Sequence, residues 1–153
     1  MNKIVLITGA SSGYGKATAK AFKDNGDTVI MTARNFEKLN SACSEVGGDL
    51  AFSMDVTNPS DWDMTVKSVK EKYGRLDVLV NNAGVAQKIK PLIDTSEEEF
   101  DEVFSANVKG VFVATKAVLP HMLEKGGNII NVSSMWGLVG ASCESVYSAS
   151  KSA

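Results

Sequence analysis

Short apolar runs, rich in β-branched residues, alternate along this chain with longer stretches where apolar positions recur every three or four residues. The runs are 3–8 (KIVLIT), 28–33 (TVIMTA), 50–54 (LAFSM), 76–80 (LDVLV) and 128–133 (NIINVS). They are near-continuous rather than alternating, the pattern of strands covered on both faces. Between them the period lengthens to that of amphipathic helices. Leu39, Cys43 and Val46 form one face of the second helix, and Trp62, Val66, Val69 and Tyr73 one face of the third. Val111, Thr115, Val118 and Met122 are read the same way in the fifth.

Local punctuation agrees with that division. Asn58 followed by Pro59 suits the start of the third helix, and 94–100 (DTSEEEF) sets Ser/Thr caps before acidic first-turn residues. Strand–helix alternation predicts right-handed βαβ units and a parallel sheet covered on both sides. No linker, repeat or low-complexity tract interrupts 1–153, so a single domain is expected.

Composition changes the picture mainly by exclusion. The 153 residues carry 16 basic and 18 acidic side chains, a net charge of −2, so no basic field offers itself to nucleic acid or an anionic membrane. The apolar start at Ile4–Ile7 is too short for a signal peptide and runs into glycines, and no stretch reaches the roughly 18 residues of a membrane span. Cys43 and Cys143 are read as free thiols of a reduced, cytoplasmic protein, and no Cys/His cluster suggests a metal. His121, the one histidine, is read as a surface or packed residue.

The first strand leads straight into ITGASSGYGKA, with Gly9, Gly13 and Gly15 spaced as T-G-x-x-x-G-x-G. Glycines there permit a tight turn and close approach of a pyrophosphate, while the following helix offers free N–H groups and a positive dipole end. Strand–loop–helix context favours nucleotide binding over a purely structural turn.

At these residues the chain resembles the compact, single-domain branch of the short-chain dehydrogenase/reductase family. Further motifs carry the resemblance: NNAG at 81–84, Asp55 in MDV, Asn107 in ANVKG, and Tyr147 with Lys151 in YSASK. It implies a Rossmann-type doubly wound sheet ordered 3-2-1-4-5, and a nicotinamide dinucleotide cofactor. It places Gly9, Ser11, Ser12, Gly13, Tyr14, Gly15, Arg34, Asp55, Val56, Asn82, Ala83, Gly84, Tyr147 and Lys151 around that cofactor. Tyr14 departs from the family's usual Ile, and its ring is expected to cover the loop rather than reach the pyrophosphate. Where NAD enzymes place an acidic residue after the second strand stands Ala33, followed by Arg34, whose guanidinium fork suits a 2′-phosphate. NADP(H) is therefore the expected cofactor, with NAD(H) possible. A solvated Arg34 at a helix entry is the bland alternative, and no basic residue lies in the glycine loop.

The resemblance also implies a catalytic set of Asn107, Ser134, Tyr147 and Lys151. Ser134 precedes Tyr147 by thirteen residues, leaving Ser133 as its structural neighbour. Residues four apart on a helix share a face, so Tyr147 and Lys151 can address one pocket. A free phenol titrates near 10. Moving it toward 7 takes about 4 kcal/mol of phenolate stabilisation, which the Lys151 ammonium and the oxidised nicotinamide could share. Tyr147 would then exchange the proton, Ser134 donate to the substrate oxygen, and Asn107 hold a relay water, as hydride passes between cofactor and a carbonyl or alcohol carbon. Trp136 and Met135 either line a substrate pocket or pack the loop.

Members of the family usually run about a hundred residues further, so the chain reads as a domain truncated at its C-terminus, lacking the last strands, with turnover of this stretch alone doubtful. The implied substrate is a small carbonyl or alcohol, a 3-oxoacyl thioester being one class. The implied assembly is a homo-oligomer, dimer or tetramer. A non-catalytic dinucleotide-binding regulator and an inactive fragment are the alternatives.

Overall fold

A computed structural model describes residues 2–123 and 125–153. Among these described residues, five strands form one parallel sheet in the order β3-β2-β1-β4-β5: β1 Ile4–Thr8, β2 Thr28–Ala33, β3 Leu50–Ser53, β4 Val78–Asn81 and β5 Asn128–Asn131. The crossovers carry α1 Gly13–Asp24, α2 Phe36–Val46 and α3 Pro59–Tyr73. Between β4 and β5 lie α4 Glu97–Phe104 and α5 Gly110–Met122, and α6 Ser145–Ser152 follows β5.

Every residue of β1 is buried, and the pleat sends them to opposite sides. Val5 and Ile7, with Val29, Met31, Val78 and Val80, face α1 and α2 through Ala19, Leu39, Ala42, Cys43 and Val46. Ile4 and Leu6, with Ile30 and Leu79, face α3 and α5 through Trp62, Val66, Val69, Val118 and Met122. This two-sided burial explains why the strands read as unbroken apolar runs.

The expected helix starts are present. Asn58 and Ser96 cap α3 and α4, and Ser96 forms a reciprocal box with Glu99. Two expectations need correction. The inward face of α5 is Gly110, Val113, Ala114, Val118 and Met122, whereas Val111 and Thr115 lie at its margin. The helix is apolar nearly all round, so periodicity could not single out one face. The strand at the fifth run stops at Asn131, and Ile130 and Val132 are exposed rather than covered on both sides.

α4 and α5 are not one straight rod. Residues Ser105–Lys109 form a π-helical turn, a widened turn holding one residue more than the α-helix. Asn107 lies in its middle and is buried.

Candidate active site

The C-terminal ends of β1, β2 and β4 open on one cleft of about 620 Å³, a volume suited to a nucleotide-sized ligand. Gly9, Ser11 and Ser12 line it from the glycine turn, Arg34 and Lys38 from the β2–α2 connection, Asp55 and Val56 from the end of β3, and Ala83 and Gly84 from the end of β4. Eight of the residues assigned to the cofactor from sequence thus meet around one space. This location matches the rule that open α/β sheets bind ligands where strand order reverses.

The turn is shaped by the two segments that flank it. Thr8 Oγ1 donates to the Val80 carbonyl and accepts from the N–H groups of Asn82, at 3.1 Å, and Ala83, at 3.0 Å. Asn82 Nδ2 returns bonds to the carbonyls of Thr8, at 2.9 Å, and Gly9, at 3.2 Å. Asn82 therefore acts on the loop's shape. Gly9 has φ +64°, and a Cβ there would sit 2.8 Å from the Ala83 Cα; at Gly15 it would meet the Gly9 carbonyl. Gly13, φ +53°, faces open space. Ser12 stands at the N-cap of α1 without spending its hydroxyl on a cap bond, so that side chain does not occupy the first-turn N–H groups. An open glycine wall beside a helix N-terminus fits a pyrophosphate. Tyr14 differs from expectation: its side chain is 84% exposed and does not cover the loop.

At the end of this cleft lined by Arg34, Asp55 Oδ1 accepts from both the N–H and the hydroxyl of Thr57, each at 2.8 Å. Those bonds, and the nearby Arg34 charge, hold the carboxyl below its usual range. Asn35 Oδ1 caps α2 by accepting the Lys38 N–H at 2.9 Å. Lys38, overlooked in the sequence, comes to the same wall as Arg34 from the first turn of that helix.

Lys151 and Asn107 come together beside Gly84, and Tyr147 precedes Lys151 by one turn of α6. Lys151 Nζ lies 5.9 Å from the centroid of the Tyr147 ring, and donates to the Val132 carbonyl at 3.1 Å. Partial burial pushes its ammonium below the ordinary lysine range. A Cβ on Gly84 would stand 2.9 Å from Asn107 Oδ1 and 3.4 Å from Lys151 Nζ, so glycine permits these groups to converge. Ser133 Oγ donates to the Lys151 carbonyl at 2.7 Å, and Ser152 Oγ to the Gly137 carbonyl at 2.8 Å. These bonds fix the segment carrying Ser134 against α6. Ser134 Oγ accepts the Trp136 N–H at 3.2 Å. Met135 and Leu138 on the same segment are exposed, while Trp136 is half-buried.

Asn107 was expected to hold a water. Its side-chain amide bonds to protein: Oδ1 accepts the Val85 N–H, and Nδ2 donates to the Val85 carbonyl and to Ser150 Oγ. Ser150 passes the chain on to the Tyr147 carbonyl at 2.8 Å. Sequence reasoning missed Gln87, Ser150 and Val85, because each acts through a backbone group that only the tertiary fold brings near.

Comparison with known proteins accords with this geometry. A family model described as short chain dehydrogenase matches residues 3–153. A 3-oxoacyl-acyl-carrier-protein reductase of Thermotoga maritima is 44% identical over 155 residues, covering 97% of this chain and 62% of its own length. A cyclopentanol dehydrogenase of Comamonas testosteroni is 41% identical over 157 residues, covering 99% and 62%. The crystal structure of a short-chain dehydrogenase from Streptomyces avermitilis superposes with a TM-score of 0.90 at 41% identity, over 99% of this chain and 56% of that one. The chain thus spans about three fifths of the length of the curated relatives it matches. With the sheet order, the glycine turn and the Tyr147–Lys151 pair already in place, the chain belongs to the short chain dehydrogenase family.

Proposed function

We propose that this protein is an oxidoreductase that interconverts a carbonyl and a secondary alcohol, with NADP(H) as preferred cofactor. The observation that carries the reading is the placement of the Lys151 ammonium 5.9 Å from the Tyr147 ring, on a helix bonded to the segment that bears Ser134.

When bound, a nicotinamide dinucleotide supplies the hydride donor or acceptor. The glycine turn and the first turn of α1 would receive its pyrophosphate, and the free oxygen of Asp55 would accept from its adenine. Arg34 and Lys38, on one wall of the cleft, would hold a 2′-phosphate, which supports NADP(H) over NAD(H). Tyr147 gives a proton to the substrate oxygen in reduction and takes it back in oxidation. Lys151 favours the phenolate by its charge, and Ser134 Oγ, which accepts the Trp136 N–H and keeps its own O–H, donates to the same oxygen as charge develops. Asn107, through its side-chain amide, holds Val85 and α6 in register.

Exposed Phe100 and Phe112 on α4 and α5, with Leu119 and Leu123, support assembly into a homo-oligomer. Cys43 and Cys143 are free thiols, in keeping with a reduced, cytoplasmic setting.

The test is reduction of ethyl acetoacetate and of cyclopentanone by the full-length protein with NADPH, followed by nicotinamide absorbance. Tyr147→Phe is expected to lower kcat by roughly 10²- to 10⁴-fold with cofactor binding kept. Equal activity in the two proteins would remove the phenol from the mechanism. Cofactor binding with no turnover of either ketone would favour the regulatory alternative.

A further inference from the structure

The helix that carries Tyr147 has no cap of its own. Glu144 occupies the N-cap position of α6 without a side-chain bond to the first turn, and its predecessor Cys143 has φ +61°. A helix of eight residues with an uncapped start is marginal by itself. Yet the N–H groups of Val146 and Tyr147, its second and third residues, are both satisfied. Gln87 Oε1 accepts them at 2.9 and 3.1 Å from fifty-nine and sixty residues away in sequence. These are the donors that an N-cap Ser, Thr or Asp ordinarily takes.

Gln87 is only 6% exposed, between the exposed Ala86 and Lys88. Its other end is also fixed: Nε2 donates to Thr95 Oγ1 at 3.3 Å, and that hydroxyl donates to the Pro91 carbonyl. A second bond joins the same two segments, from the Lys90 N–H to the Cys143 carbonyl at 3.1 Å. The loop after β4, whose first residues line the cofactor cleft, thereby grips the start of the helix whose later turn presents Lys151.

We infer that Gln87 is a positioning residue for the reaction: it caps α6 from outside and fixes the main chain of Tyr147, and with it the phenol, relative to Lys151 and Ser134. The inference rests on the reading of Tyr147 as the proton donor. The far end of α6 has a separate anchor in Ser133, and Ser150 holds Tyr147 only by its carbonyl, so loss of Gln87 loosens the first turn of the helix, where the Val146 and Tyr147 N–H groups lie. The adenosine half of the cleft shares no bond with Gln87 and is left intact.

The experiment compares Gln87→Met, Gln87→Glu and Thr95→Val in the full-length protein, with Tyr147→Phe as control. Glutamate keeps an acceptor oxygen; methionine keeps the volume without it; valine at 95 only frees the far end of Gln87 and serves as the milder variant should Gln87→Met fail to fold. Gln87→Met is expected to lose at least tenfold of the amide exchange protection at Val146 and Tyr147. Its kcat per NADPH-binding site, measured on whichever of ethyl acetoacetate and cyclopentanone is reduced, should fall about 10- to 100-fold. KM and Kd for NADPH should stay within twofold. Gln87→Glu should restore both protection and kcat, and Thr95→Val should move both in the same direction by less. Unchanged protection in Gln87→Met, or in Thr95→Val where that variant decides, overturns the capping role. Lost protection with kcat per site unchanged overturns the positioning role, as does glutamate as impaired as methionine. Full activity of Tyr147→Phe with protection still lost in Gln87→Met would instead sink the reading of the tyrosine and leave the cap standing.

Discussion

Asn107 and Val85 pair as two strand residues would: the Asn107 Oδ1 accepts the Val85 N–H at 2.8 Å, and its Nδ2 donates to the Val85 carbonyl at 3.0 Å. A side-chain amide is standing in for a neighbouring strand just beyond the end of β4. The same amide reaches Ser150 on α6, so one buried group joins the loop after β4, the π turn and the helix of Tyr147.

Asn107→Leu should therefore destabilise the fold as well as slow turnover. It strands the donor and acceptor of the half-buried Val85 backbone, a loss of about 1–3 kcal/mol. The denaturation midpoint should drop with no change in slope. A variant as stable as the parent would mean that the Val85 groups find water instead.

The two cations on one wall of the cleft, Arg34 and Lys38, predict a measurable preference. Arg34→Ala should reduce the ratio of kcat/KM for NADPH over NADH by about 10- to 100-fold, and Lys38→Ala by less, since a flexible ammonium gives up more order to hold a phosphate. Steady-state kinetics with both cofactors decides this. An unchanged ratio in Arg34→Ala would leave that residue as a solvated helix entry.

Two glycines of one turn should respond differently. Gly15→Ala drives a Cβ into the Gly9 carbonyl and the Asn82 amide, so the turn must shift and cofactor affinity should fall at least tenfold. Gly13→Ala meets nothing within 4 Å, and its cost is the left-handed backbone alone, about 1 kcal/mol. Cofactor titration alongside thermal melting separates the two.

Asp55 sets a pH signature. Its folded carboxyl titrates below the ordinary value because Thr57 donates to the ionised form twice. A depressed folded pKa gives stability that is present in full above about pH 4 and disappears as pH falls through the lower folded value. Asp55→Asn should flatten the stability curve in that acidic window and leave neutral pH behaviour parallel to the parent. Equal acid sensitivity in both proteins would assign the effect to other carboxylates.

Much of the architecture was legible because each strand meets apolar neighbours on both sides, which turns Ile4–Thr8 or Thr28–Ala33 into an unbroken run. The glycine turn was legible for a related reason: Gly9 and Gly15 lie where a Cβ has no room. What escaped was carried by single polar atoms over long sequence separations. Nothing in AQK at 86–88 announces that Gln87 is buried under a helix sixty residues away, and nothing in FSANVKG at 104–110 marks a widened turn. Tyr14 differs in another way: its ring is expected to cover the glycine loop, and at the start of α1 it stands in solvent.

The extra residue accommodated at Ser105–Lys109 also sets a phase. Each residue advances a helix by about 100°, so removing one to straighten that stretch would swing everything on one side of it by over a quarter revolution. The repair of a local irregularity would turn either Val103 on α4 or Val113 and Val118 on α5 away from the interior, and the smoother rod would be the worse scaffold.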